Sequence, residues 1–147
     1  MSDARLDAIS EEACLRLLRA GTVGRVAFVD ADGPSILPVN YRLVEPPSGP
    51  LLAIRTRPGN VIDQAPENVA FEIDSIDQVQ HRGWSVLVRG SLVHAFPDSV
   101  SAREHLDSAP WISTDRESWL FIDPWAITGR ELRAAEAEWV FRRGEYL

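Results

Sequence analysis

The stretch from Gly24 to Thr56 constrains the fold of this chain more than any other. A strand-like run, Gly24-Arg25-Val26-Ala27-Phe28-Val29, reaches Asp32-Gly33 and returns as Ile36-Leu37-Pro38-Val39-Asn40-Tyr41-Arg42. A third apolar run, Leu51-Leu52-Ala53-Ile54, then ends in Arg55-Thr56-Arg57-Pro58-Gly59. Asp-Gly between apolar runs is a strong short-range hairpin signal, because glycine accepts the positive backbone angle that a tight turn requires. The chain therefore opens as an antiparallel meander.

The rest of the sequence extends that pattern. Ser10 followed by Glu11 and Glu12 supplies a capping hydroxyl and acidic groups at the positive end of a helix dipole, and Gly21 supplies a stop, so a short amphipathic helix is expected over about 10–20. The second strand ends at Glu45-Pro46-Pro47-Ser48-Gly49-Pro50, which has little capacity for ladder hydrogen bonds and reads as a loop. Asn60 to Gln64 is compatible with a helical turn. Val69 to Asp74 alternates apolar and polar residues as a half-buried strand does, and Trp84 to His94 gives a long fifth strand whose internal Gly90 marks a bulge or bend. Asp98 to Ala109 reads as a second short helix. Trp119 to Ile122 is a sixth strand, interrupted at Asp123-Pro124, with Ile127 to Leu132 continuing it or adding an edge piece. The tail, 133–147, is compatible with helix through Ala135 to Glu138 and with strand through Trp139-Val140-Phe141. Six short strands with brief helices point to one antiparallel sheet, and closure into a small barrel hides its edges.

Size and charge narrow the function. A chain of 147 residues is most simply one domain, able to bury roughly two-thirds of its unfolded surface. A net charge of −7 argues against a general nucleic-acid or anionic-membrane binder, which needs a positive field, so any phosphate site must be local. No apolar run approaches the ~20 residues that cross a bilayer. The N-terminus lacks the apolar core of a signal peptide and the single cysteine, Cys14, cannot form an internal disulfide, so a cytoplasmic protein is expected. Cys14 shares a helix face with Leu17 and Leu18 and reads as a small core hydrophobe.

The best functional candidate is the turn Arg55-Thr56-Arg57-Pro58-Gly59-Asn60. Two guanidinium groups, a hydroxyl and an unhindered glycine amide are the donors that a phosphate monoester needs. The plainer alternative is a solvated barrel-end arginine paired with Glu72 or Asp74. Asn40 is a polar side chain among apolar neighbours, either a structural amide or a donor and acceptor facing a planar heterocycle. Gly83-Trp84-Ser85-Val86 offers an aromatic plane and a hydroxyl, although such a tryptophan is more often core. His81, His94 and His105 show no metal-ligand spacing, and neither a metal site nor a Ser-His-Asp triad is assigned. Glu72, Asp74 and Asp77 read as an acidic solvent-facing group.

Taken in order, Gly24-Arg25-Val26-Ala27-Phe28, Pro38-Val39-Asn40-Tyr41, Arg55-Thr56 with Gly59, Val69 to Asp74, Gly83 to Gly90 and Thr128-Gly129-Arg130 resemble the pyridoxamine 5'-phosphate oxidase-like flavin-binding split-barrel proteins, close to the branch that is similar to nitroimidazole-resistance proteins. The likeness runs from about Leu17 to Leu132. It implies a mainly β fold, a six-stranded antiparallel split barrel with short helices, a homodimer, and FMN or a deazaflavin at the dimer interface. Pro38, Val39, Asn40 and Tyr41 would run along the isoalloxazine ring, and Arg55, Thr56 and Gly59 would approach the phosphate. Trp84 and Ser85 match the strand that borders the cofactor, and Arg130 matches a C-terminal position near it. In one place the chain departs from its relatives. Many carry a lysine about two residues after the motif glycine, where this chain has Asn60, Val61 and Ile62, so Arg57 would have to supply the missing cation.

The function so implied is FMN-dependent oxidoreduction of a small molecule, with the flavin carrying hydride or electrons and the protein supplying position and electrostatics. No second basic cluster for a substrate phosphate is evident, which makes vitamin B6 oxidation a poorer expectation than reduction of another small acceptor. The alternative is a non-catalytic flavin-binding or haem-binding module, or a cofactor-free interaction module of the same fold.

Overall fold

The computed structural model describes residues 5–56, 62, 65–93 and 118–133. Seven strands and one helix follow in the order β1 (Arg5–Ile9), α1 (Glu11–Ala20), β2 (Val23–Asp30), β3 (Gly33–Val44), β4 (Leu51–Thr56), β5 (Asn68–Asp77), β6 (Arg82–Val93) and β7 (Ser118–Arg133). All strand pairings are antiparallel, in the order β1-β7-β4-β3-β2-β5-β6, and β6 pairs back onto β7. That last pairing closes six strands into a barrel, as expected. The seventh strand, β1, was not anticipated. It lies on the C-terminal half of β7, with Ile9 opposite Gly129, while β4 lies on the N-terminal half, with Leu52 opposite Ile122.

Strand alternation decides what is inside. On β2, β5 and β6 the buried residues Val26, Phe28, Val69, Phe71, Ile73, Val86, Val88 and Leu92 fall at every second position and meet Leu52, Ile54, Leu120 and Ile122 from β4 and β7. The α1 residues Cys14 and Leu18 belong to this same core. A second, smaller cluster of Val44, Leu51, Ala53 and Phe121 lies on the outer face, flanked by Val93 and Trp119.

The local predictions hold with small shifts. Ser10 caps α1, accepting from the Ala13 amide at 3.2 Å, and the Gly21 amide donates to the Leu17 carbonyl at the other end. The first hairpin pairs Asp30 with Gly33, so its two-residue loop is Ala31-Asp32 rather than Asp32-Gly33. Gly33 still takes the positive φ, +109°, and the Asp30 carboxylate accepts from the Asp32 amide at 2.8 Å. Pro38 lies on β3 before its ladder with β4 begins at Tyr41, where a missing amide breaks no bond to β4.

The sixth expected strand is not interrupted at Asp123-Pro124. It runs unbroken for 16 residues as β7. The irregularity is absorbed by a bulge, with Arg89 opposite Ala126 and Gly90 opposite Pro124, which leaves exposed Trp125 as the extra residue. Gly90 permits this close approach, since a Cβ there would lie 2.5 Å from the Asp123 carbonyl oxygen and 2.7 Å from Ile122 Cγ2. The expected second helix, most of the expected 60–64 turn and the tail lie outside the described residues.

Candidate functional site

Among the described residues, two grooves lie on the outside of the barrel. The first, of about 420 Å³, is lined by Asn40 and Arg42 of β3, Arg55 of β4 and Trp119 of β7, with Arg19 of α1 and Thr22 just beyond it. Its size is within the range of small-molecule sites. Alternation along β3 points Asn40 and Arg42 outward while Tyr41 between them turns into the core. Arg42 lies opposite Ala53, two residues from Arg55, and Arg55 lies opposite Trp119. Arg42 and Arg55 are therefore diagonal neighbours on one face, about 7–8 Å apart at the backbone and within reach of each other's side chains. Arg42 forms no hydrogen bond or ion pair with another described residue.

The wall of this groove is fixed from behind. The Tyr41 hydroxyl donates to the Leu18 carbonyl at 2.8 Å, and its ring meets Phe71 edge-on with centroids 4.8 Å apart. Burial pushes the Tyr41 hydroxyl up to about 12. At the rim, Arg19 holds Glu45 through two bonds, Nε to Oε2 at 3.0 Å and Nη2 to Oε1 at 2.6 Å. The hydrogen bonds from Arg19 hold the Glu45 carboxyl below its ordinary range.

The second groove, of about 700 Å³, lies across β5, β6 and the C-terminal half of β7, and is lined by Glu72, Ser85, Leu87, Arg89, Thr128 and Arg130, with Ala8 of β1 at its edge. Ser85 lies opposite Arg130 and Leu87 opposite Thr128. Beside it, Arg25 on β2 reaches Glu72 at 3.0 Å and Asp74 at 3.5 Å. Burial raises the Glu72 pKa first, and the adjacent Asp74 adds to the rise against the opposing pull of Arg25. The pairing with Glu72 and Asp74 that sequence allowed for Arg55 is thus made by Arg25.

The predicted residues divide between these places. Asn40, Tyr41 and Arg55 border the first groove, and Ser85 and Arg130 border the second. Pro38 is exposed opposite Arg25, while Val39 and Trp84 pack against the core from the inner face. Thr56 ends β4 opposite Ser118, and Arg57, Gly59 and Asn60 lie outside the described residues. Sequence reasoning missed Arg19, Thr22, Arg42 and Trp119. Arg42 had a signal, since it follows Asn40 by two and shares its face; Arg19 and Trp119 arrive only through folding. Cys14 is buried as expected, its thiol pKa raised chiefly by burial and secondarily by Glu11. Among the described residues no group of three or more His, Cys, Asp and Glu side chains is placed to hold a metal ion, and no helix is long and apolar enough to cross a membrane.

The family comparison matches residues 10–131 to the pyridoxamine 5'-phosphate oxidase family model. The chain belongs to that family. It is 30% identical over 128 residues to the uncharacterized protein Rv0080 of Mycobacterium tuberculosis, covering 82% of each chain. Among solved structures it resembles the FAD binding protein of Mycobacterium smegmatis, at 26% identity and TM-score 0.66, over 88% of this chain and 100% of that one. A candidate 5-nitroimidazole antibiotic resistance protein from Bacteroides thetaiotaomicron shares the fold at 18% identity and TM-score 0.65, over 92% of this chain and 96% of that one. Family members and neighbours thus share one antiparallel β framework, on which the two grooves of this chain are arranged.

Proposed function

We propose that this protein is a flavin-dependent oxidoreductase that works as a homodimer on a small molecule in the cytoplasm. The observation that carries the reading is the cationic outer groove of β3 and β4, in which Arg42 and Arg55 share a face with the Asn40 amide. The donor set fits the riboflavin 5'-phosphate unit, whether FMN itself or the matching half of a larger nucleotide. Arg55, with Thr56 and Arg57 next to it in sequence, would neutralise its phosphate, and Asn40 would hydrogen-bond the ring edge. The FAD binding protein of Mycobacterium smegmatis supports a flavin as the ligand class.

The division of the expected residues between two grooves supports the homodimer. Asn40 and Arg55 line one groove and Ser85 and Arg130 another, and a site between two copies is the arrangement that would bring both sets to a single ligand. A second copy related by a two-fold axis would set the second groove of one protomer against the first groove of its partner. Bound flavin supplies hydride or electron transfer. The chain's own groups position the ring, screen the phosphate charge and exclude water from the space between copies.

Purified protein is expected to be yellow, to be bleached by a chemical reductant and restored by an electron acceptor, and to sediment as a dimer. Colourless protein that retains no added flavin at micromolar concentration would overturn the reading in favour of a cofactor-free interaction module.

A further inference from the structure

The second groove carries two cations that the described residues leave unmatched. Arg89 and Arg130 are both exposed, line the same cavity of about 700 Å³, and form no hydrogen bond or ion pair with another described residue. Glu72, the carboxylate lining the same cavity, is held at 3.0 Å by Arg25 of β2. The strand register fixes where the two arginines stand. Arg130 lies opposite Ser85, and Arg89 is four residues further along β6, so they occupy opposite ends of the groove, about 13 Å apart along the strands. Midway between them Leu87 lies opposite Thr128, which gives the floor an apolar side chain and a hydroxyl. The backbone adds no donors here, because β6 is hydrogen-bonded to β5 on one side and β7 on the other, and the C-terminal half of β7 is covered by β1 on its far side. An anion in this groove is therefore met by side chains alone. One guanidinium fork matches the two oxygens of a carboxylate, whereas a phosphate monoester presents three acceptor oxygens and calls for further donors.

We propose that the second groove is the substrate site and that it takes a small dicarboxylate, with one carboxylate on Arg130, the other on Arg89, and the methylene chain between them over Leu87. The role as substrate rests on the flavin reading above, while the recognition of the dicarboxylate stands on the groove itself. Ser85 and Thr128 offer hydroxyls along the path of the chain. A monocarboxylate engages one end and leaves the other guanidinium unmatched.

The test is isothermal titration calorimetry of the full-length protein, supplied with flavin, against adipate and against hexanoate, which match in length and differ by one carboxylate. The titrations are repeated on Arg89→Ala and on Arg130→Ala. Both arginines are exposed and without a partner among the described residues, so each variant is expected to keep the parent's circular dichroism spectrum. The parent should bind adipate about tenfold more tightly than hexanoate, as one added charge-assisted contact provides, and each variant should bring adipate down to the hexanoate level. As a measurement free of mutation, inorganic phosphate should fail to displace adipate at equal concentration. The proposal is overturned if adipate and hexanoate bind the parent alike, if neither binds, if either variant keeps the preference, or if phosphate displaces adipate. Flavin retention is read by absorbance on the same samples. Yellow protein that does not bind adipate refutes this proposal alone, whereas colourless protein that binds adipate through both arginines upholds the dicarboxylate site and refutes the flavin reading.

Discussion

The two grooves are cut into one barrel and share one strand, yet they are electrostatically unlike. Among the described residues the first is bordered by Arg19, Arg42 and Arg55, with the Glu45 carboxylate held by Arg19 at its rim. In the second, Arg89 and Arg130 face Glu72, beside a network in which Arg25 balances Glu72 and Asp74. Both stand on outward positions of strands whose inward positions form the core. Asn40, Tyr41 and Arg42 show the separation within three residues: the middle one fastens β3 to α1 and Phe71, and its neighbours are free to meet a ligand. In a chain of net charge −7, a cation-rich surface of this kind is a local construction.

The difference can be broken at the strand the grooves share. Gly90→Ala would press a Cβ against Asp123 and Ile122 at the bulge that divides β7, and should lower stability by about 3 kcal/mol, read by chemical denaturation, while perturbing both grooves. If stability is unchanged, the bulge does not join the two halves as described. Arg55→Ala acts on one groove only. Flavin affinity should fall about 10–100-fold with the melting temperature of the flavin-free protein nearly unchanged, and undiminished affinity would remove Arg55 from the phosphate site.

Tyr41→Phe sharpens the contrast between wall and groove. Losing the bond to Leu18 should cost about 1–2 kcal/mol and leave the second groove unaltered. The hydroxyl pKa is raised in the fold, so its stabilisation is fully present below the unfolded value near 10 and is lost as pH rises toward about 12. The parent should lose about 2 kcal/mol across that window, and Tyr41→Phe should lose less. The smallest effect is expected at the second groove. Arg25→Ala should change stability by under about 1 kcal/mol, because the pair is partly exposed. It should also raise the Glu72 pKa further, followed by carboxyl NMR titration, and a fall would contradict the assigned pairing.

Much of this was legible because strand alternation and turn chemistry are local. The hairpin after β2, the cap at Ser10, the run of β6 and the special role of Gly90 were all read from short windows. The strand β1 was not, because five residues acquire strand structure only where the long C-terminal half of β7 offers an edge to pair with. Nor could sequence separate Asn40 and Arg55 from Ser85 and Arg130, since that division depends on closure of β6 onto β7, a pairing between distant segments. Trp84 was open to either reading, and its packing, half-buried, against the main core cluster favours the core one.

The most direct test of the account is a crystal structure of the protein grown with a flavin nucleotide. The phosphate should lie within hydrogen-bond reach of Arg55, and the ring should lie beside Asn40 with the second groove of a partner copy closing over it. A flavin bound elsewhere on the barrel, or a first groove left empty at saturating ligand, would contradict it.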